Sequence, residues 1–223
     1  MISVAIDGPS GAGKSSIAKM VARELGFIYV DTGAMYRSIG CYALSKNIDT
    51  KDAEAVSSIL PEINIDVKFS EENGQRIFLN GEDVSEKIRQ PEMSMAASNV
   101  SAIPEVREFL FDFQRNSAKK SNVIMDGRDI GTVVLPEADV KIFLTATAEE
   151  RARRRYGDFV ESGNEVELAQ VLEDIKKRDY NDTHRAIAPL KKAEDAILLD
   201  TTNLSFEDTK NTIINFIKEK MNK

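Results

Sequence analysis

Residues 8–15 read Gly8-Pro9-Ser10-Gly11-Ala12-Gly13-Lys14-Ser15, a G-x-x-x-x-G-K-S run set between an apolar stretch, residues 2–6, and a helical pattern. The pattern that follows has Ile17, Met20, Val21 and Leu25 at i, i+3, i+4 and i+8, so the local order is strand, loop, helix. In that order the glycines let the backbone curl until its N–H groups and the helix N-terminus aim at phosphate oxygens. Lys14 would span the terminal phosphates, and the Ser15 hydroxyl would ligate Mg²⁺. The expected phosphate cradle is Gly8, Pro9, Ser10, Gly11, Ala12, Gly13, Lys14, Ser15 and Ser16.

A strand feeding such a loop implies further parallel strands. Four more short apolar runs, residues 27–30, 123–125, 140–144 and 196–199, alternate with helical stretches, and an amphipathic helix starts near Ser205. Five buried strands between helices give an α/β layered fold. Gly26 stops the first helix, and Asp31-Thr32-Gly33 ends the second strand. Between Ile63 and Val84 the periodicity changes. Ile63, Ile65, Val67 and Phe69, then Ile77 and Leu79, alternate with polar residues around Glu71-Glu72-Asn73-Gly74 and Asn80-Gly81, which are antiparallel hairpin signals. Residues 147–189 are polar and helical, and carry Arg151, Arg153, Arg154, Arg155, Lys176, Lys177, Arg178 and Arg185.

Composition removes several function classes. Thirty basic against 37 acidic residues leave a net charge of −7, which argues against a bulk nucleic-acid binder. No purely apolar run exceeds four residues, against the roughly 18 of a membrane span, so no membrane partner is expected. Lys14 is the first basic residue and Asp7 interrupts the early apolar stretch, so no secretory signal is expected and the expected address is cytoplasmic. One cysteine, Cys41, cannot form an internal disulfide, and the single His184 excludes any two-histidine site. Asp7 closes the first strand and is read as a loop cap.

The loop alone leaves kinase, GTPase and motor open. Neither Asn-Lys-x-Asp nor Leu-Ser-Gly-Gly-Gln occurs, which points toward a second substrate. Here the chain resembles the bacterial cytidylate kinases, a branch of the nucleoside-monophosphate kinases. The resemblance rests on GPSGAGKSS at 8–16, DTGAMYR at 31–37, residues 98–107, DGRDIGTVV at 126–134, EERARRR at 149–155 and KKRDYNDTHRAIAP at 176–189. It implies a P-loop five-stranded parallel sheet flanked by helices, with a small antiparallel monophosphate-binding insertion and a helical lid. The expected division is a core of residues 1–62, 85–146 and 190–223, an insertion of 63–84 and an arginine-rich lid of 147–189. It also implies MgATP as phosphoryl donor, CMP or dCMP as acceptor, and a monomer.

Phosphoryl transfer between two anions rests on positioning and neutralisation by cations. The resemblance puts Arg37, Arg128 and Arg185 on the acceptor phosphate, with Thr32 and Tyr36 in the same acceptor segment. At 100° per residue, Arg178, Asp182 and Arg185 fall at roughly 0°, 40° and −20° on one helix edge. The resemblance gives Arg178 and Asp182 to the sugar hydroxyls, and Ser98, Arg107 and Asp129 to the base. Cytosine offers an amine donor beside two acceptors, which a carboxylate, a guanidinium and a hydroxyl complement. Val106, Phe109, Leu110 and Phe113 form an apolar stripe that leaves Arg107 pointing elsewhere. Asp126 closes a strand as a Walker-B carboxylate does and is expected to orient water on Mg²⁺. Arg151 and Arg155, one helical turn apart, would reach the ATP phosphates as the family's lids do. With Lys14, Arg128 and Arg185 they complete the expected catalytic set. A kinase for UMP or another monophosphate, and a nucleotide-dependent switch, remain open at this point.

Overall fold

The apolar run at the N-terminus forms a strand bracketed by parallel ladders on both sides. In the computed structural model, which describes residues 1–70 and 74–222, the strands are β1 (Ser3–Asp7), β2 (Ile28–Asp31), β3 (Ile65–Ser70), β4 (Gly74–Leu79), β5 (Glu82–Asp83), β6 (Val123–Gly127), β7 (Val140–Thr145) and β8 (Ile197–Asp200). The helices are α1 (Lys14–Leu25), α2 (Thr32–Ser45), α3 (Ala53–Ile59), α4 (Pro91–Val100), α5 (Pro104–Lys120), α6 (Ala148–Glu161), α7 (Leu168–His184) and α8 (Phe206–Met221). The chain divides into two compact units, residues 1–31 with 114–223, and residues 32–113. No helix among the described residues is long and apolar enough to cross a membrane.

The first unit holds a five-stranded sheet in the order β2-β6-β1-β7-β8, every ladder parallel. Central position explains composition: Val4, Ala5, Ile6, Val123, Ile124 and Met125 have no exposed surface, as expected of strands covered on both faces. Ile17, Ala18, Val21 and Ala22 of α1 and Ile213, Ile214 and Ile217 of α8 pack on the same cluster. Each such large side chain contributes about 1.5–3 kcal/mol by leaving water. The register sets Ile6 beside Asp126 and Asp7 beside Gly127, so the strand ends that carry the loop and the DGRD segment lie together.

The helical pair α6 and α7 has a small core of its own, Ala152, Phe159, Val171 and Ile175. Thr147 caps α6, its hydroxyl accepting from the Glu150 amide at 3.3 Å.

In the second unit β3, β4 and β5 form an antiparallel sheet in that order, with Val67 opposite Ile77 and Leu79 opposite Glu82. The expected alternation is therefore realised with a third strand. Asn80 and Gly81 both have positive φ, 51° and 87°, as the tight Asn-Gly turn requires. The other expected turn, Glu71-Glu72-Asn73, lies outside the described residues.

Several expectations are corrected. Met20 is exposed, and Ala18 and Ala22 take its place on the α1 core face, because the stripe is centred one position away. Ile28, Ile197 and Leu198 are exposed, and β2 and β8 are the edge strands of the five-stranded sheet. β2 runs through Asp31, and α2 starts at Thr32 with no loop between them. On α5, Phe109 and Phe113 are exposed while Val106 and Leu110 are buried; Arg107 is buried too, so the inward face runs through 103, 106, 107 and 110. α7 ends at His184, and Arg185 is its C-cap with ψ 142°, so helical spacing does not position Arg185.

Candidate active site

Gly8 opens the loop at φ 148°, and a Cβ there would sit 1.9 Å from the Leu144 carbonyl oxygen of β7. No other residue fits that approach without moving the sheet. The curl ends at Gly13, from which α1 starts with Lys14 as its first residue; the amides of the first turn thus face the loop. Lys14 is buried, and its Nζ donates to the Pro9 carbonyl at 2.7 Å. Burial, with Arg128 next in weight, holds the Lys14 ammonium well below its usual pKa.

One residue on, Ser15 Oγ donates to Asp126 Oδ2 at 2.8 Å, and Tyr29 Oη donates to Asp126 Oδ1 at 2.8 Å. Burial and the neighbouring Asp31 carboxylate raise the Asp126 pKa, against Lys14 and these two hydrogen bonds. The two residues expected to serve Mg²⁺, Ser15 and Asp126, are thus hydrogen-bonded to each other. Among the described residues no group of three or more His, Cys, Asp or Glu side chains could hold a metal ion. A Mg²⁺ held here by Ser15 and Asp126 would need phosphate and water oxygens for most of its shell, which is how Mg²⁺ is usually bound.

Around Ser10 the arginines gather. Arg178 donates to Ser10 Oγ at 3.1 Å and lies 3.8 Å from Asp182. Arg128 pairs with the buried Asp182 at 2.8 Å, Nε to Oδ2. Burial lowers the Arg128 pKa, and Asp182, with help from Asp126 and Asp179, outweighs it, so the net shift is upward. Arg185 donates to Asp129 Oδ1 at 3.1 Å and through Nε to the Ala188 carbonyl at 2.7 Å.

Arg151 and Arg155 separate, although one turn apart. Arg151 is buried, and its guanidinium donates to the Ala146 carbonyl at 2.9 Å, the Ser10 carbonyl at 2.9 Å and Asp179 Oδ2 at 2.7 Å. Arg155 lies over the Phe159 ring, 4.4 Å from its centroid, and 4.0 Å from Asp158. Asp7 caps the segment after β6, accepting from the amides of Ile130 at 2.8 Å and Gly131 at 2.7 Å. His184 stacks on Tyr180 at the exposed end of α7, 4.0 Å between centroids.

In the second unit Thr32 is buried at the start of α2, with Tyr36 and Arg37 half-buried in its next turn. The Arg107 guanidinium lies 6.0 Å from the Tyr36 ring centroid and donates to the Ser101 carbonyl at 3.3 Å. Ser101 Oγ in turn donates to the carbonyl of Ser98, which is buried on α4. Tyr36, Ser98 and Arg107 are thus brought together.

The cytidylate kinase family model matches residues 4–219. The chain belongs to the cytidylate kinase family. A cytidylate kinase of Caldicellulosiruptor saccharolyticus is 55% identical over 207 residues, 93% of this chain and 91% of that protein. One of Fusobacterium nucleatum is 50% identical over 222 residues, 100% of this chain and 98% of that protein. An uncharacterized protein from Eubacterium ventriosum, solved by crystallography, superposes with a TM-score of 0.52 at 14% identity, over 98% of this chain and 99% of that one; the likeness is one of fold. Membership of the cytidylate kinase family makes the chain an enzyme, a nucleoside-monophosphate kinase and hence a transferase.

Sequence reasoning missed three residues. Tyr29 sits in a strand and reads as core; only its hydroxyl, reaching Asp126, sets it apart. Asp179 is the second residue of the RDYND run, one place from those selected. Arg154 donates to Thr201 Oγ1 at 3.0 Å and the Thr201 carbonyl at 2.7 Å. With Ala12, Gly13, Leu204 and Phe206 it lines a shallow depression beside the loop that is partly open to solvent. No spacing rule links 154 with 201.

Proposed function

We propose that the chain transfers a phosphoryl group from MgATP to CMP or dCMP, giving ADP and CDP or dCDP, as a cytosolic monomer. The observation that carries this reading is the constellation at the loop: Lys14 and Ser15 at the start of α1, Asp126 near the end of β6, and Arg128 and Arg178 beside them, in a chain about half identical to proteins named cytidylate kinase. The loop runs straight into the N-terminus of α1, whose first-turn amides suit phosphate oxygens. Bound Mg²⁺ supplies positive charge for the phosphate oxygens, with Ser15 and Asp126 as the residues that would hold it.

In this reading Lys14 neutralises charge on the transferring group, and its burial makes that charge more effective than in water. Arg37, Arg128 and Arg185 take the acceptor phosphate; Arg178 and Asp182 take the sugar hydroxyls. Asp129 accepts from the cytosine amine, and Ser98 and Arg107 donate to the ring nitrogen and carbonyl. Thr32 and Tyr36 complete the acceptor side. Arg151 and Arg155 stay assigned to the donor phosphates, Arg151 through the loop it holds at Ser10.

A panel of monophosphates with ATP tests the reading. CMP and dCMP are expected to drive ADP release. UMP presents a carbonyl in place of the amine, so Asp129 would face an acceptor. Sites that hydrogen-bond a substrate group reject analogues lacking it by about 10⁴-fold. Slow hydrolysis indifferent to CMP would overturn the kinase reading, and equal use of UMP would overturn the assignment of Asp129.

A further inference from the structure

Asp7 is a fully buried carboxylate at the end of the strand that enters the phosphate loop, and nothing in the reaction as described uses it. Its two oxygens are both engaged with backbone: Oδ1 accepts from the Ile130 amide at 2.8 Å and Oδ2 from the Gly131 amide at 2.7 Å. These amides open a single π-helical turn, Ile130–Val134. Asp129 is the residue immediately before it, and its carbonyl accepts from the Val133 and Val134 amides at 2.9 and 3.2 Å. The turn is therefore pinned at its first two amides by Asp7, and Asp129 hangs from that pin. The fit is close. A Cβ on Gly131 would lie 3.3 Å from Asp7 Oδ2 and 3.2 Å from Lys141 Cδ, so a methyl there would press on the Asp7 carboxylate and shift it or the turn by a few tenths of an ångström.

Burying a carboxylate costs several kcal/mol unless its hydrogen bonds are good, and a hydroxyl-free apolar side chain would fill the same space without that cost. What Asp7 supplies and an apolar residue lacks is a two-point grip on a short turn, one that is sensitive to direction. We infer that Asp7 is a positioning residue for base selection: by gripping the 130–131 amides it fixes the backbone of Asp129, and with it the direction in which the Asp129 carboxylate meets the acceptor base. This rests on the reading of Asp129 as the residue that meets the cytosine amine. It also links the two ends of the reaction, since the same strand end carries Gly8 and the donor loop.

The test is the ratio of kcat/KM for CMP to that for UMP, measured for the wild type, Asp7→Asn, Gly131→Ala and Asp129→Asn. Asn at 7 keeps the shape and one acceptor but turns an amide donor toward one of the two N–H groups. Losing one charge-assisted bond of this kind corresponds to roughly tenfold. Asp7→Asn is expected to lower the CMP:UMP ratio about tenfold or more, with a smaller change in KM for ATP. Gly131→Ala pushes the turn off an intact Asp7 and is expected to lower the ratio in the same direction. It decides the matter if Asp7→Asn does not fold, judged by circular dichroism and thermal unfolding. A ratio unchanged in both Asp7→Asn and Gly131→Ala, while Asp129→Asn collapses it, overturns the role of Asp7 and leaves Asp129 as base reader. A ratio unchanged in Asp129→Asn, or a wild type indifferent to the base, overturns the reading of Asp129 and this inference with it.

Discussion

Arg128 and Asp182 form an ion pair at 2.8 Å in which the carboxylate side chain is only 3% exposed. The sequence resemblance gives these two residues to different parts of one ligand, the arginine to a phosphate and the carboxylate to a sugar. Their pairing is matched by a second, Arg185 with Asp129, at 3.1 Å. Each pair joins a cation assigned to the acceptor phosphate with an anion assigned to its nucleoside. A carboxylate can accept from an arginine and from a hydroxyl or amine at once, because it has about four lone-pair directions. On the proposed function, the pairs would aim each carboxylate without using it up and leave each guanidinium beside the acceptor phosphate it is assigned to.

Asp182→Ala removes the anion and leaves the half-buried Arg128 close to Lys14. Breaking a fully buried pair from one side costs about 3–5 kcal/mol; Arg128 keeps some contact with water, so a fall in unfolding free energy below that range is expected by denaturant titration. KM for CMP should rise far more than KM for ATP. Equal damage to both would make the pair structural only.

Lys14→Ala should lower turnover about 10²-fold or more, since an electrostatic stabiliser of the transferring group is gone. The fold should survive. Burial and the nearby Arg128 already hold the Lys14 pKa down, so the charge is tolerated in the fold at a cost. Single-turnover kinetics on the folded variant provide the check.

Arg151→Lys keeps the charge but not the fork, and three geometrically distinct acceptors, Ala146, Ser10 and Asp179, cannot all be met by one ammonium buried on a flexible stem. The bond to the Ser10 carbonyl holds the loop, so the expected effect is a rise of several-fold in KM for ATP, with faster amide exchange at residues 10–12. Turnover at saturating ATP should fall less. If kcat falls instead and loop exchange is unchanged, Arg151 acts on the reacting phosphates directly.

The layout of strands was legible because burial on both faces leaves short apolar runs, and the loop because its chemistry is nearly unique to its spacing. What failed lies at edges and ends. Ile28, Ile197 and Leu198 look like core in composition, but they lie on edge strands, and edge position is a property of strand order. Arg185 obeys helical spacing on paper, yet α7 stops one residue earlier. Asp7 could be read as a cap because it ends a strand. That it caps the 130–131 amides, over 120 residues away, depends on the parallel register of β1 with β6. Arg154 and Thr201 meet for the same kind of reason, and no local pattern announces such pairs.

The pKa of Asp7 is raised from 3.8 to about 6, mainly by burial and further by Asp129, while the Gly131 and Ile130 amides and Lys14 pull the other way. A carboxyl whose folded pKa lies above its unfolded value stabilises the fold most when protonated; that contribution is complete below about 4 and is lost as pH rises through about 6. The difference of roughly two units corresponds to about 3 kcal/mol. The protonated carboxyl, however, carries a hydrogen where one amide needs an acceptor, so the grip on 130–131 weakens as stability from this group increases. Between pH 7 and 5 the two observables should move in opposite senses. The unfolding free energy of the wild type should rise relative to that of Asp7→Asn, while the CMP:UMP ratio of the wild type falls toward that of the variant. The second ionisation of the acceptor phosphate also lies near pH 6, but it is shared by CMP and UMP and cancels in the ratio. A wild-type ratio flat from pH 7 to 5, alongside the expected change in stability, would separate the titration of Asp7 from base selection.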